Sequence, residues 1–165
     1  MDKTLFVIEE WTEDHSRWGE FLECLERAAP EQAPFVLGEY SAGLSCHLLV
    51  ALQADRVVGF LRFGVQPIGK ESGCPPLVLE GAPLTEAKIH AFAVLEESRC
   101  QGIGTSLQQQ AISLARSSGC HQLASHSSHE RPANCRVKLR LGFSALPEAH
   151  GQSIYFLMPL CTPRS

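Results

Sequence analysis

The sequence predicts a mixed α/β fold in one domain, and three observations carry that prediction. Several short segments are β-rich or continuously apolar and one of them alternates at period two, apolar residues recur at helical spacing in others, and a glycine-bearing turn near Gly102 joins one kind to the other. With 165 residues the chain can close a sizeable core around a central sheet. A hydrophobic content of 44% is ordinary for a globular protein and argues against disorder.

Thr4–Glu9 is β-rich and reads as the first strand. Asp14 is placed to cap a helix over 15–29, where Trp18, Phe21, Leu22 and Leu25 fall on one side. His47–Gln53 and Val57–Val65 read as apolar strands joined by the tight turn Ala54-Asp55-Arg56. From Gln66 to Glu86 there are four prolines and three glycines, the composition of an irregular excursion, either a lid or a mobile surface loop. Ala87–Leu95 is the next strand, with Lys88, His90, Phe92 and Val94 sharing one face. A helix over 103–118 has Ile103, Leu107, Ala111, Leu114 and Ala115 along one side and stops at Gly119. Gln122–Ser127 reads as a short strand, Pro132 to about Leu141 as a helix, and Ile154–Leu160 as the last strand. No internal repeat or linker interrupts the chain, so 1–165 is expected to be a single domain.

Composition excludes several classes. No apolar run approaches the roughly 18 residues of a membrane span, and the N-terminal apolar stretch is too short for a secretory signal. A cytoplasmic location is expected, with no membrane partner. The seven cysteines form no C-x-x-C pair and read as reduced thiols, and no His/Cys spacing completes a metal site. The net charge of −4 is unevenly spread: ten of eighteen acidic residues lie in the first 39 positions, while Arg131, Arg136, Lys138 and Arg140 cluster later. That contrast suits a cationic substrate at one segment and an anionic ligand at another. It lacks the broad basic footprint of a nucleic-acid surface.

The segment Arg99-Cys100-Gln101-Gly102-Ile103-Gly104 carries the most information. A strand enters it and a helix leaves it, so unpaired N–H groups and the positive end of the helix dipole favour an anion there. Glycine lets phosphate oxygens approach the backbone, Thr105 and Ser106 add hydroxyl donors, and Arg99 adds a fixed charge. A P-loop would need a lysine after Gly104, and a dinucleotide fold a third glycine where Leu107 stands. Neither pattern is met.

Arg99-x-x-Gly102-x-Gly104 matches the R/Q-x-x-G-x-G/A signature of the Gcn5-related N-acetyltransferases. Asn134 and the segment Lys138-Leu139-Arg140-Leu141-Gly142-Phe143 are similar to the family's later motif, Y-x-x-x-G-F, with Lys138 in place of the tyrosine. The chain resembles that family from its first strand to its last. The resemblance implies the acyl-CoA N-acyltransferase fold: a mostly antiparallel central sheet with a splayed strand pair and flanking helices. It also implies acetyl-CoA as cosubstrate, with pantetheine on the backbone of Phe92 and Val94. The pyrophosphate would sit on the N–H groups of Gln101, Gly102, Ile103, Gly104 and Thr105, beside Arg99, and Asn134 would hydrogen-bond the pantetheine arm.

Acetyl transfer needs a neutral amine, and a lysine-like amine of pKa near 10.4 is only about one part in a thousand neutral at pH 7. A base is therefore required. The family often uses a glutamate on the strand before the turn, where this chain has Lys88. His90, two residues on and on the same face, is the base candidate, with Glu39 and His126 as alternatives. Cys100 at a helix start suggests a nucleophile, but in the family this turn faces the pyrophosphate, so direct transfer is expected. Lys138 has three readings: the acid that protonates the departing thiolate, a contact to a cofactor phosphate, or a solvated helix lysine. The acceptor is expected to be a primary amine of a small molecule or peptide, and family members often form homodimers. The competing function is a non-catalytic acyl-CoA-binding domain with a regulatory role.

Overall fold

The computed structural model describes residues 5–38, 44–148 and 151–160. The chain divides into two compact units, Met1–Phe63 with His90–Ala111 and Gly64–Ile89 with Ile112–Ser165.

In the first unit β1 (Phe6–Trp11) pairs antiparallel with β2 (Ser45–Gln53), from Phe6↔Gln53 to Trp11↔Leu48. β2 turns directly into β3 (Arg56–Pro67), and the strand order runs β1-β2-β3-β6, where β6 is Thr85–Val94. The turn at Ala54 and Asp55 has φ of 47° and 58°, two left-handed residues whose twist matches the flanking strands. Arg17 clamps it, with Nη1 at 2.8 Å from the Asp55 carboxylate.

Helix α1 is Trp18–Ala28 and buries Phe21, Cys24 and Leu25; the Phe21 ring meets Phe60 edge-on at 5.4 Å. It begins three residues later than its spacing suggested, and Asp14 does not cap it. Asp14 instead accepts a hydrogen bond from the Thr12 hydroxyl, and His15 stacks on Trp11 at 3.7 Å, so this stretch folds back on the end of β1. A one-turn helical segment (Pro30–Gln32) and the short α2 (Ala33–Val36) follow, too brief to show a period. Helix α3 (Ile103–Ser117) buries Ile103, Leu107, Ala111 and Ala115 as its spacing predicts, with Leu114 only half-buried.

In the second unit β6 pairs in parallel with β7 (Gln122–Ser128) from Glu86↔Gln122 to Lys88↔Ala124, a short ladder for strands of ten and seven residues. β7 is antiparallel to β9 (Ser153–Pro159), which is antiparallel to β8 (Ser144–Pro147). The fold is thus mixed α/β and mostly antiparallel, with β6 and β7 a parallel pair. The 66–86 excursion has structure of its own. β3 runs on to Pro67, a helical turn spans Lys70–Ser72, and β4 (Val78–Leu79) and β5 (Ala82–Pro83) form a small hairpin. Helix α4 (Pro132–Leu141) ends at Gly142, whose φ of 97° lets the Gly142 and Phe143 N–H groups bond back to Leu139 and Lys138. Leu123, Phe143, Phe156 and Met158 are buried in this unit. Among the described residues, no helix is long and apolar enough to cross a membrane.

Candidate active site

Most of the residues singled out by the sequence fall in the first unit, along β6 and the turn after it. The chain leaves Val94, makes a helical turn at Glu96–Ser98, and reverses through Cys100 (φ 61°) and Gly102 (φ 87°) into α3. Gly102 has no heavy atom within 4 Å of where a Cβ would stand, so its glycine serves the left-handed backbone rather than space. Gly104 is the opposite case: a Cβ there would stand 3.1 Å from Cζ of Phe92, so the missing side chain lets the first turn of α3 close on that ring. The α3 ladder opens with the Ser106 N–H on Gly102 O, leaving the earlier amides of the first turn without intrahelical acceptors. Gln101 and Gly102 are exposed, Gly104 and Thr105 half-buried, and Ile103 points into the core. Arg99 ties the turn to the strand, donating from Nε to Val94 O at 3.0 Å.

The backbone of Phe92 has a partner that sequence reasoning missed. Its N–H donates to Gln32 Oε1 at 2.8 Å, and its C=O accepts from Gln32 Nε2 at 3.4 Å. A side-chain amide carries the same donor and acceptor as a peptide group. β6 is therefore paired at Phe92 as though by one residue of an extra strand. A glutamine just after Pro30 gives no signal in the sequence for such a contact. His90, two residues earlier on β6, is half-buried.

Asn134 and Lys138 belong to the second unit. Asn134 lies inside the first turn of α4, whose N-cap is Arg131. Lys138 is only 2% exposed, which excludes the solvated reading. Its ammonium donates to Ser125 Oγ at 2.7 Å and Ser127 Oγ at 2.5 Å, and lies 5.2 Å from the centre of the Phe156 ring. Burial above all, helped by the Lys88 charge, pulls its pKa down to about 8. Lys88 is also buried, bonded to His126 and paired with Glu71. Burial and the Lys88 charge lower the pKa of His126, against the opposing pull of Glu148. Glu39, the other alternative base, lies outside the described residues.

No curated protein matches the chain in sequence. Solved structures of similar fold include the ribosomal-protein-S18-alanine N-acetyltransferase from Escherichia coli, at 15% identity and TM-score 0.64, covering 97% of this chain and 97% of that one. NAA60 from Arabidopsis thaliana, solved with a bisubstrate analogue, is similar at 14% identity and TM-score 0.64, covering 92% of this chain and 95% of its own. The yncA protein of Salmonella typhimurium, solved with its cofactor acetyl-CoA, shares 14% identity at TM-score 0.62, covering 98% and 97%. At such identities the likeness speaks for the fold alone. The sequence model of the acetyltransferase (GNAT) family matches residues 7–143, well over half of the chain. The protein belongs to the acetyltransferase (GNAT) family.

Proposed function

We propose that the protein transfers the acetyl group of acetyl-CoA to a primary amine of a small molecule or peptide by direct attack. The observation that carries this reading is the Gln32 amide on the backbone of Phe92. It marks a place on β6 where an amide outside the strand is accepted, and pantetheine is a chain with two such amides. In this reading pantetheine takes the place of Gln32 at Phe92 and makes its next bond at Val94. The N–H groups from Gln101 to Thr105, Ile103 included, hold the pyrophosphate, with Arg99 supplying charge. Asn134 hydrogen-bonds the pantetheine arm. His90 removes the proton from the acceptor amine. Lys138 returns a proton to the departing thiolate; its pKa of about 8 lies close to the ordinary thiol value near 8.5, so little driving force is lost in the transfer.

Two expectations test these roles. Gln32→Ala removes an internal competitor for Phe92, a pair worth about 1 kcal/mol, and should tighten acetyl-CoA roughly fivefold by titration calorimetry. Weaker binding would instead make Gln32 a support for the cofactor and remove the stand-in argument. His90→Ala should lower turnover about 100-fold, with little change in acetyl-CoA affinity and loss of one limb of the rate–pH profile near neutrality. Unchanged turnover would take the base role from His90.

A further inference from the structure

One face of the second unit's sheet carries a constellation outside these roles. Lys88 pairs in register with Ala124, two residues before His126, and His126 pairs with Tyr155, so all three side chains project from the same face. Lys88 Nζ is 2.8 Å from His126 Nδ1, and His126 Nε2 is 2.5 Å from Glu148 Oε1. The other Glu148 oxygen accepts from the Ser153 hydroxyl. The Tyr155 ring lies 4.9 Å from the Lys88 nitrogen, and Glu71 Oε2 reaches it at 3.0 Å. An ammonium can only donate, so Nδ1 is the acceptor and the ring proton sits on Nε2, directed at Glu148.

An amine on one imidazole nitrogen with a carboxylate on the other is the order nucleophile, base, orienting group. Ion pairing alone would need Glu71 but not the histidine. Lys88 also stands on β6 four residues before Phe92, on the side of it away from Val94 and the turn that holds the pyrophosphate in the reading above. We propose that Lys88 is itself an acetyl acceptor, modified by the protein's own acetyl-CoA, with His126 as base and Glu148 holding the imidazole. This inference rests on the acetyl-CoA reading.

The Lys88 ammonium gives one proton to Nδ1 of His126, and Glu148 stabilises the imidazolium through Nε2–H. The neutral amine attacks the thioester carbonyl, forming the C–N bond. The C–S bond then breaks, and the thiolate takes the second proton from the nitrogen. The products are Nε-acetyl-Lys88, free CoA and protonated His126, which returns its proton to solvent. Glu71 favours the ammonium, but its side chain is 48% exposed and can turn to water as the charge is lost. The acetylated residue no longer attracts Glu71 or places a cation over Tyr155, so modification frees the Lys70–Ser72 turn from β6.

The test incubates the purified protein with acetyl-CoA alone and follows intact mass and the acetylated peptides, beside a thermal-shift measurement of acetyl-CoA binding. The expected result is gain of one acetyl group at Lys88 in preference to Lys3, Lys70 and Lys138, abolished in Lys88→Arg. His126→Ala and the milder Glu148→Gln should each slow it about tenfold or more while the protein stays folded. Binding of acetyl-CoA without acetylation at Lys88, or acetylation at the parent rate in both variants, overturns the inference and leaves the acetyl-CoA reading intact. Failure to bind acetyl-CoA overturns both.

Discussion

Gly104→Asp is expected to abolish acetyl-CoA binding at ordinary concentrations, through a loss of roughly 2–4 kcal/mol, or about thirtyfold to a thousandfold in Kd. The new carboxylate would stand among the N–H groups assigned to the pyrophosphate and oppose its charge. Part of the effect is steric, because any Cβ at this position meets Phe92 Cζ at 3.1 Å and the ring must give by a few tenths of an ångström. Gly104→Asn carries the same Cβ and nearly the same bulk without the charge, so the difference between the two variants isolates the electrostatic part. Titration calorimetry, with circular dichroism to establish folding, measures both. An aspartate variant that is folded and binds with near-parent affinity would remove the pyrophosphate from this turn.

Lys138→Met is expected to change how stability depends on pH. The ordinary lysine pKa is 10.5, and in the folded chain burial holds it down at about 8. Below pH 8 both states carry the proton and this group adds no slope. Between pH 8 and 10.5 the unfolded chain keeps a proton that the folded one has lost, so stability rises with pH across that window, by up to about 3 kcal/mol. Tyr155 works the other way, because burial raises its pKa from 10.0 to about 12 and its contribution is lost above pH 10. The readable interval is therefore pH 8 to 10. Urea unfolding of the parent and of Lys138→Met across it should show the parent gaining stability relative to the variant. A constant difference would contradict a buried ammonium. The same variant should turn over more slowly at unchanged acetyl-CoA affinity if Lys138 is the acid.

Those features of the fold whose cause is local are legible in the sequence. Ile103, Leu107, Ala111 and Ala115 lie one helical turn apart, and the helix they predict is where they place it. Ala54-Asp55 between two apolar runs announced a tight hairpin, and both residues take the left-handed backbone it requires. Gly102 before the apolar side of a helix announced the turn. β8 was not legible, because its four residues, Ser144–Pro147, are all exposed and carry no alternation. The start of α1 departs from its spacing because His15 and Asp14 find partners on the β1 side that no helical period reveals.

The contacts on which the proposed roles rest are the least legible. Lys88 read as a residue unable to serve as a base, which says nothing of what would surround it. Its neighbours His126, Glu148 and Tyr155 come to it through strand register, and Glu71 from an excursion whose composition suggested only irregularity. Lys138 shows the same limit: the sequence leaves three readings open, and burial against Ser125 and Ser127 excludes the solvated one. Gln32 reaches Phe92 across sixty positions of sequence, and no spacing rule could have joined them.

Amine-dependent acetyl transfer from acetyl-CoA is read out by the release of free CoA thiol over a panel of primary amines. Aliphatic amines, diamines and short peptides with free N-termini would each be mixed with the protein and acetyl-CoA, and thiol followed with a chromogenic disulfide. At least one amine is expected to raise thiol release well above the amine-free rate, with a rate that saturates with that amine and is abolished by Gly104→Asp. Thiol release indifferent to every amine, from a protein that binds acetyl-CoA, would contradict amine-dependent transfer.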